Sequence, residues 1–366
     1  MRSILASALL GLCLFQSAGA QVVPTVPDAL EGLDPVALVA GSEVPGQSAF
    51  TAIHNGFRYM FASADHLAAF KKSPDAYAVQ NRGMCSRMGA PVPGNHGLFA
   101  VHDGRIYIFG SEECVKAFKG APAKFLPPDL TPPKTTTAGI AAARLLLDKA
   151  AAGFGSSDRV NRVTALRTVA SQVQPGRAGG APGTVTLTTT AVWPQQVRQD
   201  MAMGAMAMSI VASGSDGFRT MGTELRPLEE AQRDYIRTEV LRHPLWVVKG
   251  RTDPKLQVWP EGLGKVGESV TEDIGAVIRD ERIRLSIEPN TGRVLRMAVA
   301  GRGPAGEFGE IAVTYSDFRD AGGGVVIAHK EDRTFNGAPI ERTPVLQRIE
   351  VNPAIDAAFF TRPARR

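Results

Sequence analysis

Residues 59–77, YMFASADHLAAFKKSPDAY, return 48 positions later as residues 107–125, YIFGSEECVKAFKGAPAKF. Each copy begins with a short apolar run, passes through a serine suited to capping a helix, and stops near a proline. The capping residues are Ser63 and Ser111. Apolar side chains follow each serine at helical spacing, so the pattern predicts a strand and then a helix in both copies.

The two copies differ in chemistry at one position. His66 in the first predicted helix aligns with Cys114 in the second, and Cys85 lies between the copies. Imidazole and thiolate groups bind soft or borderline metals such as copper and zinc, although a closed structural zinc site uses four ligands rather than three. His66, Cys85 and Cys114 are therefore the candidate metal ligands, and the identity of any metal stays open.

The first twenty residues have the organisation of a secretory signal peptide. Arg2 supplies a positive start, an apolar run follows, and the segment ends in Ala18-Gly19-Ala20. This pattern predicts that the peptide is cleaved after Ala20 and that the mature protein is exported. The expected compartment is a bacterial periplasm. No later stretch approaches the roughly 20 apolar residues that cross a bilayer as a helix.

Export changes the expectation for the cysteines. Cys13 leaves with the signal peptide, so the mature chain retains Cys85 and Cys114. Two cysteines in an oxidising compartment commonly form a disulfide. A Cys85–Cys114 bridge, a Cys/His metal site and two free structural thiols are the alternatives that the sequence leaves open.

The composition indicates a folded protein and argues against two other classes. Of the 366 residues, 44% are hydrophobic and 21% are charged, as in globular domains. The net charge of +5 is small and the basic residues form no dense stripe, which argues against nucleic-acid binding. The chain contains no G-x-S-x-G, P-loop, H-E-x-x-H or C-x-x-C motif. We therefore predict that the protein is not an enzyme.

Residues 32–125 resemble the YHS domain family. The matching stretches are GLDPVA at 32–37, YMFASADHLAAFKKSPDAYA at 59–78, GMC at 83–85, VPG at 92–94 and GRIYIF at 104–109. The resemblance implies a small α+β domain that binds a metal or contacts another protein. Related metal-binding versions carry a cysteine directly after the strand, where this chain has Ala62 and Gly110.

A segment rich in proline and threonine, residues 127–137, predicts a semi-rigid spacer between two domains. A run of this composition supports neither a helix nor a central strand. The first domain is expected to cover residues 21–126, and the second residues 138–366.

The second domain begins with two helical patterns and continues as strands. We expect one helix over residues 140–151, with Leu145 and Leu146 on its buried side, and another from 157 to about 170. Strand patterns then alternate with turn signals, interrupted by a predicted helix over residues 227–242. This order predicts an α+β architecture in which a curved antiparallel sheet wraps against helices.

The same half of the chain resembles the outer-membrane lipoprotein-sorting carrier superfamily. The matching stretches are LLLDKAAAGFG at 145–155, IEPNTGRVLRM at 287–297, YSDFRDAGGGVVIAHK at 315–330 and IEVNPAIDAAFF at 349–360. The resemblance implies an antiparallel β half-barrel, closed by helices around an apolar cavity that holds acyl chains or other hydrophobic ligands. An ordinary filled core is the alternative that the same strands allow.

Four of the chain's ten methionines cluster at Met201, Met203, Met206 and Met208. Residues two apart on a strand share a face, so each Met-x-Met pair projects to one side. Flexible thioethers suit an adaptable hydrophobic pocket, and they also bind Cu(I). Plain core packing is the third interpretation. The four methionines are the candidate ligand pocket.

The leading hypothesis is an exported, non-enzymatic binding protein. Its C-terminal half-barrel holds a hydrophobic or lipid-like ligand, and its YHS-like domain binds a metal or contacts an envelope protein. One alternative is a soft-metal protein of the copper type, built on the Cys, His and Met side chains. Another is a structural or interaction protein in which both cores are filled.

Overall fold

We describe the protein from a computed structural model, which covers residues 26–90, 92–174, 183–278, 281–341 and 343–363. The predicted signal peptide, residues 1–20, lies outside these ranges. In the part of the chain that the structure describes, no helix is both long enough and apolar enough to cross a membrane.

The sequence repeat is also a structural repeat. In chain order, the elements are α1 (Pro35–Val39), β1 (Gln47–His54), β2 (Phe57–Phe61), α2 (Ala64–Lys72), α3 (Pro74–Tyr77), β3 (Asn95–His102), β4 (Arg105–Phe109) and α4 (Glu112–Gly120). β1 and β2 form one antiparallel hairpin, and β3 and β4 form the other. Ser63 caps α2 and Ser111 caps α4, so the strand–helix prediction is confirmed in both copies.

Aromatic packing is duplicated as well. The ring of Phe70 lies on Tyr59 and Phe61, with centroids 4.9 and 5.0 Å apart. The equivalent Phe118 lies 5.0 Å from each of the two aromatic rings of its own strand, those of Tyr107 and Phe109. Offset and tilted ring pairs of this kind add stability beyond the buried area. Each repeat therefore has an aromatic cluster of its own.

After α4 the chain has no regular element except a 3-10 turn at Pro122–Lys124, until α5 begins at Thr137. The helices of the C-terminal region are α5 (Thr137–Gly153), α6 (Ser157–Arg162), α7 (Glu230–Leu241) and α8 (Pro244–Lys249). Its strands are β5 (Ala165–Gln174), β6 (Gly183–Val192), β7 (Gln196–Met203), β8 (Met206–Ser213), β9 (Asp216–Met221), β10 (Glu224–Pro227), β11 (Gln257–Val266), β12 (Ser269–Ile278), β13 (Glu281–Ile287), β14 (Val294–Arg302), β15 (Phe308–Asp320), β16 (Val326–Phe335), β17 (Ala338–Pro339) and β18 (Val345–Val351).

These strands form two antiparallel sheets. The first has the order β10-β9-β8-β7-β6-β5-β18, and the second has the order β11-β12-β13-β14-β15-β16-β17. β18 pairs with β5 and also lies beside β16, so the last strand brings the edges of the two sheets together. The sheet-rich, antiparallel architecture agrees with the predicted fold.

The main core lies where α5 and α8 pack between the inner faces of the sheets. Leu147 of α5 and Trp246 of α8 are almost completely buried there, beside Leu166 of the first sheet and Leu285 of the second. The β13–β14 turn touches α5 through backbone alone, because a Cβ on Gly292 would lie 2.1 Å from the carbonyl oxygen of Lys149.

Two helix predictions need correction. The buried face of α5 carries Leu146 and Leu147, whereas Leu145 is 64% exposed, so the predicted face is rotated by about one residue. The predicted helix from 157 to about 170 ends at Arg162, and β5 follows. β-branched residues from Val163 onward favour a strand, and pairing with two neighbouring strands settles the choice.

Truncating Leu147 tests the position of this core. Leu147→Ala removes a fully buried side chain and leaves a cavity, so we expect the free energy of unfolding to fall by about 2–5 kcal/mol. Leu145→Ala on the exposed side of the same helix is the matched control and should change it by less than about 0.5 kcal/mol. Urea denaturation followed by circular dichroism measures both, and equal losses would contradict the packing of α5.

Candidate functional site

The first structural repeat, residues 29–77, contains a buried carboxylate paired with a histidine. The Oδ2 atom of Asp34 lies 2.6 Å from Nδ1 of His66, and the Asp34 side chain is fully buried. Asp34 also accepts hydrogen bonds from the backbone N–H groups of Val36, Ala37 and Ala62. Burial alone would raise the pKa of Asp34, but these four hydrogen bonds outweigh it and hold the pKa below its ordinary value of 3.8.

The second structural repeat, residues 80–125, has cysteines at the two equivalent positions. The N–H of Asp34 donates to the carbonyl of Val44, and that of Cys85 donates to the carbonyl of Val92, at 2.9 and 2.8 Å. The Sγ atom of Cys85 accepts from the N–H three residues later, as the Asp34 carboxylate does. Cys114 follows its capping serine at the same distance as His66. The repeat therefore replaces an Asp/His pair by a pair of thiols.

The predicted metal ligands do not converge. His66 belongs to the first repeat and bonds Asp34, whereas Cys85 and Cys114 lie in the separate core of the second repeat. Among the described residues, no group of three or more His, Cys, Asp or Glu side chains could hold a metal ion. Cys85 and Cys114 are both buried and free, so the predicted disulfide is not formed in this structure.

Arg302, at the end of β14, joins the two halves of the molecule. Its Nη1 group donates to the carbonyl oxygens of Arg87 and Gly306, both at 2.9 Å, and to that of Phe125 at 3.5 Å. The guanidinium also stacks over the ring of Phe308, 4.2 Å from its centroid. In return, Arg87 donates to the carbonyl of Ala305. The β14–β15 hairpin is thus fastened to the second repeat.

A second contact joins the N-terminal region to α7. Arg82 forms ion pairs with Glu230 at 2.7 Å and with Asp234 at 2.8 Å. Arg82 has a positive φ of 52°, which is uncommon for a residue other than glycine. This conformation directs the chain at Arg82 towards α7. The two contacts hold the second repeat against α7 and the β14–β15 hairpin of the C-terminal region.

Between these contacts lies a cleft of about 630 Å³. One wall is the segment around Met84 and Met88, and the other is formed by α7 with Tyr235 and by the β14–β15 hairpin with Phe308. A neighbouring cavity of about 610 Å³ runs under the linker and shares Leu130 and Phe308 with the cleft. The sequence could not indicate either cavity, because each is built by segments far apart in the chain.

The floor of the cleft carries a buried ion network. Arg242 forms hydrogen-bonded ion pairs with Glu239 and with Glu281. Burial acts to lower the pKa of Arg242, but the two carboxylates outweigh it and raise the pKa above its ordinary value. Desolvation raises the pKa of Glu239, with the charge of Arg242 acting in the opposite sense. The arrangement shows that the cleft is not purely apolar.

The four predicted methionines form cross-strand pairs on one face of the first sheet. Met201 lies opposite Met208, and Met203 lies opposite Met206, on either side of the β7–β8 turn. Met221 of β9 extends the row beyond Met208. The prediction that each Met-x-Met pair shares a face agrees with this unbroken register.

The methionine face is the inner face of the sheet. Val197, which projects to the same side of β7 as Met201, is fully buried and lies opposite Ala191, a residue of the main core. α7 lies near the other end of β8, where Arg237 donates to the carbonyl of Gly214. Met206 is 56% exposed, so the solvent exposure of the methionine row increases towards the β7–β8 turn. Neither of the two cavities described above includes these methionines.

One further histidine has a structural contact. His243 accepts a hydrogen bond from the N–H of Leu245 and so caps α8. Its ring lies 6.4 Å from that of Tyr315. Desolvation lowers the pKa of His243 to about 4, so the ring is neutral near pH 7.

No protein-family model matches the chain, and no curated protein matches it. Solved structures with a similar fold include a DUF1329 family protein from Desulfovibrio piger ATCC 29098, at 9% identity and a TM-score of 0.41, covering 61% of this chain and 99% of that one. A putative outer membrane lipoprotein-sorting protein domain from Vibrio parahaemolyticus has 7% identity and a TM-score of 0.40, covering 61% and 97%. A LolA superfamily protein from Nitrosomonas europaea has 11% identity and a TM-score of 0.39, covering 60% and 97%. At these TM-scores the likenesses carry no argument about this chain.

Replacing Asp34 tests the buried pair. Asp34→Asn keeps the shape but removes the charge and one acceptor, so we expect a loss of about 2–3 kcal/mol in the free energy of unfolding at pH 7. Because the folded pKa of Asp34 is depressed, its contribution is present above pH 3.8 and disappears as the pH falls through the folded value. The variant should therefore lose less stability than the wild type on acidification.

Asp75→Asn is the control for this experiment, because Asp75 is 92% exposed and contacts only His54 among the ion pairs of the described residues. We expect it to change stability by less than about 0.5 kcal/mol. Thermal or urea unfolding between pH 3 and pH 7 measures all three proteins. The same acid slope in Asp34→Asn and in the wild type would contradict the assignment.

Proposed function

We propose that the C-terminal half-barrel binds a hydrophobic, lipid-like ligand on the methionine face. The observation that carries the proposal is the row of methionines on the inner face of the first sheet, half-buried at Met201 and Met208 and emerging at Met206. Inner faces of this kind normally meet a helix or another sheet. An apolar chain laid along the row would supply the missing cover.

The chemistry of the row fits a ligand of variable shape. Unbranched thioether side chains fill irregular gaps and adjust to different partners. Leu187 of β6 lies opposite Met201 and continues the apolar surface across the next strand. Burying such side chains under an acyl chain is favourable by about 25 cal/mol for each Å² removed from water. Binding of this kind requires no catalytic group.

The export of the protein to a bacterial periplasm belongs to the same proposal, and it rests on the signal-peptide pattern of residues 1–20. The likeness of residues 32–125 to the YHS family also rests on sequence. In the proposed protein this region serves as an interaction module, since its second repeat contacts α7 and the β14–β15 hairpin. An envelope protein is the partner class that this location favours.

Met208→Asp tests the methionine face. A carboxylate placed in the row must be desolvated by an apolar ligand, so we expect the affinity for the neutral apolar dye N-phenyl-1-naphthylamine to fall at least about tenfold. Ala207→Asp is the matched control, because Ala207 is exposed on the opposite face of the same strand. Fluorescence titration measures the affinities, and native mass spectrometry of the exported protein shows whether a lipid co-purifies.

Equal affinities in Met208→Asp and Ala207→Asp would overturn the proposal. So would a wild-type protein that neither co-purifies with lipid nor binds the dye. Circular dichroism of both variants confirms that the sheet is intact, so that a loss of binding is assigned to the face itself.

The thiol pair favours a second candidate function, a redox or soft-metal site at Cys85 and Cys114. The observation behind it is the repeat, which places the two cysteines where Asp34 and His66 touch in the first copy. A disulfide would need the sulfur atoms to approach to about 2.05 Å, and a soft metal would bridge them at a larger separation. The site holds neither His66 nor the methionines.

Mass spectrometry of the exported protein distinguishes the states of these cysteines. A disulfide lowers the denatured mass by about 2 Da relative to the reduced protein. A bound metal adds mass under native conditions, and that mass should disappear in Cys114→Ser. A reduced protein without added mass would leave both cysteines as structural thiols and remove this second candidate.

A further inference from the structure

The cleft between the second repeat and α7 contains one arginine, Arg302, to which the described residues supply no carboxylate partner. Four arginines line the cleft, and three of them have carboxylate partners. Arg82 pairs with Asp234, Arg242 pairs with Glu281, and Arg282 pairs with Glu261 at 3.0 Å. Among the described residues, no carboxylate lies within 4 Å of the guanidinium nitrogens of Arg302.

The hydrogen bonds of Arg302 are made by one nitrogen. Nη1 donates to three carbonyl oxygens, whereas Nε and Nη2 have no acceptor within the described ranges. A guanidinium group presents its donors in a planar fork suited to a carboxylate or a phosphate. The unused side of the fork therefore offers a site for an anion at the edge of the cleft.

The charge state of Arg302 is consistent with this geometry. Desolvation lowers the pKa of Arg302 to about 10, and the nearby acidic groups that oppose it are the thiol of Cys85 and the phenol of Tyr235. Desolvation raises the pKa of Tyr235 to about 12, so its phenol is neutral near pH 7. Arg242 in the same cleft shows the opposite behaviour, since two carboxylates raise its pKa. A bound anion would pair with Arg302 in the way that the carboxylates of Glu239 and Glu281 pair with Arg242.

The carboxylates of the cleft do not oppose such an anion strongly, because each has a cationic partner. Asp234 contacts Arg82 and Arg237, and both Glu239 and Glu281 contact Arg242. The remaining walls are largely apolar and include Met84, Met88, Leu130, Tyr235, Phe308 and Ile311. A volume of about 630 Å³ is within the range of small-molecule sites.

We infer that the cleft between the N-terminal region and α7 binds an anionic amphiphile, a single apolar chain ending in a carboxylate, with the acidic head on Arg302 and the chain along the apolar walls. This site is separate from the methionine face, which is the inner face of the first sheet. Because Met88 and Arg302 come from different halves of the chain, the site exists only when the two halves are docked.

Calorimetric titration of the full-length mature protein at pH 7.5 tests the inference, with dodecanoate as the probe and the neutral monododecanoylglycerol as its matched control. We expect the wild type to bind dodecanoate at least about tenfold more tightly than the neutral ester, since that preference measures the anion–guanidinium contact. Arg302→Gln should abolish the preference. Arg282→Gln should keep it, because Arg282 lines the same cleft but is already paired with Glu261.

Equal binding of the two probes by the wild type would overturn the inference, as would an unchanged preference in Arg302→Gln. Acetate that binds as tightly as dodecanoate would also overturn it, because the apolar walls would then have no part.

A second variant covers the case in which Arg302→Gln separates the two halves. Met88→Asp introduces a carboxylate on the opposite wall, at a side chain that is 41% exposed, so folding should tolerate it. We expect dodecanoate to bind at least about tenfold more weakly to this variant, and unchanged binding would overturn the inference. Met208→Asp separates this site from the proposed function: a loss of dodecanoate binding there would place the anion on the methionine face instead.

Discussion

The packing of α5 between the sheets is the constraint on which the rest of the C-terminal region depends. The helix presents a face of alanines and leucines, including Ala143, Leu147 and Ala150, to the inner surfaces of both sheets. Small side chains at this contact let the backbone come close, and at Gly292 the β13–β14 turn touches the helix without a side chain between them. Because helices occupy this space, the two sheets wrap around them instead of closing face to face. The inner face of the first sheet beyond the helices is only partly covered, and Met206 is 56% exposed there.

The two structural repeats of the N-terminal region share backbone hydrogen bonds but carry different side-chain pairs at the equivalent positions. In both copies a buried group accepts a hydrogen bond from the N–H three residues later, and a residue in the first turn of the following helix lies opposite it. In the first copy these groups are Asp34 and His66, and their charge-assisted contact makes the pair a structural element. In the second copy the corresponding residues are Cys85 and Cys114, which are both buried and free. The same repeat also supplies the surface that docks on α7.

The two proposed sites differ in character. The methionine face is apolar, adaptable and formed within one sheet, so its properties come from neighbouring strands. The cleft near Arg302 combines apolar walls with a guanidinium that pairs with no carboxylate of the described residues. It depends on contact between segments more than 200 residues apart in the chain, such as Arg302 and Arg87. An apolar ligand would be held on the first by burial alone. The second adds a charge, which makes its selectivity electrostatic.

The sequence by itself determined the elements whose pattern is local. The repeat, the strands Phe57–Phe61 and Arg105–Phe109, the caps at Ser63 and Ser111 and the shared face of the methionines all follow from spacing within a few residues. Tertiary structure decided the rest. It turned α5 so that Leu147 rather than Leu145 is buried, and it converted the residues after Arg162 into a strand by pairing them on both sides. Tertiary contacts also pair His66 with Asp34 instead of with the cysteines, and among the described residues they bring no carboxylate to Arg302. The physical reason is the same in each case. Burial and pairing depend on which distant segments of the chain come into contact, and the spacing of residues within a few positions does not determine those contacts.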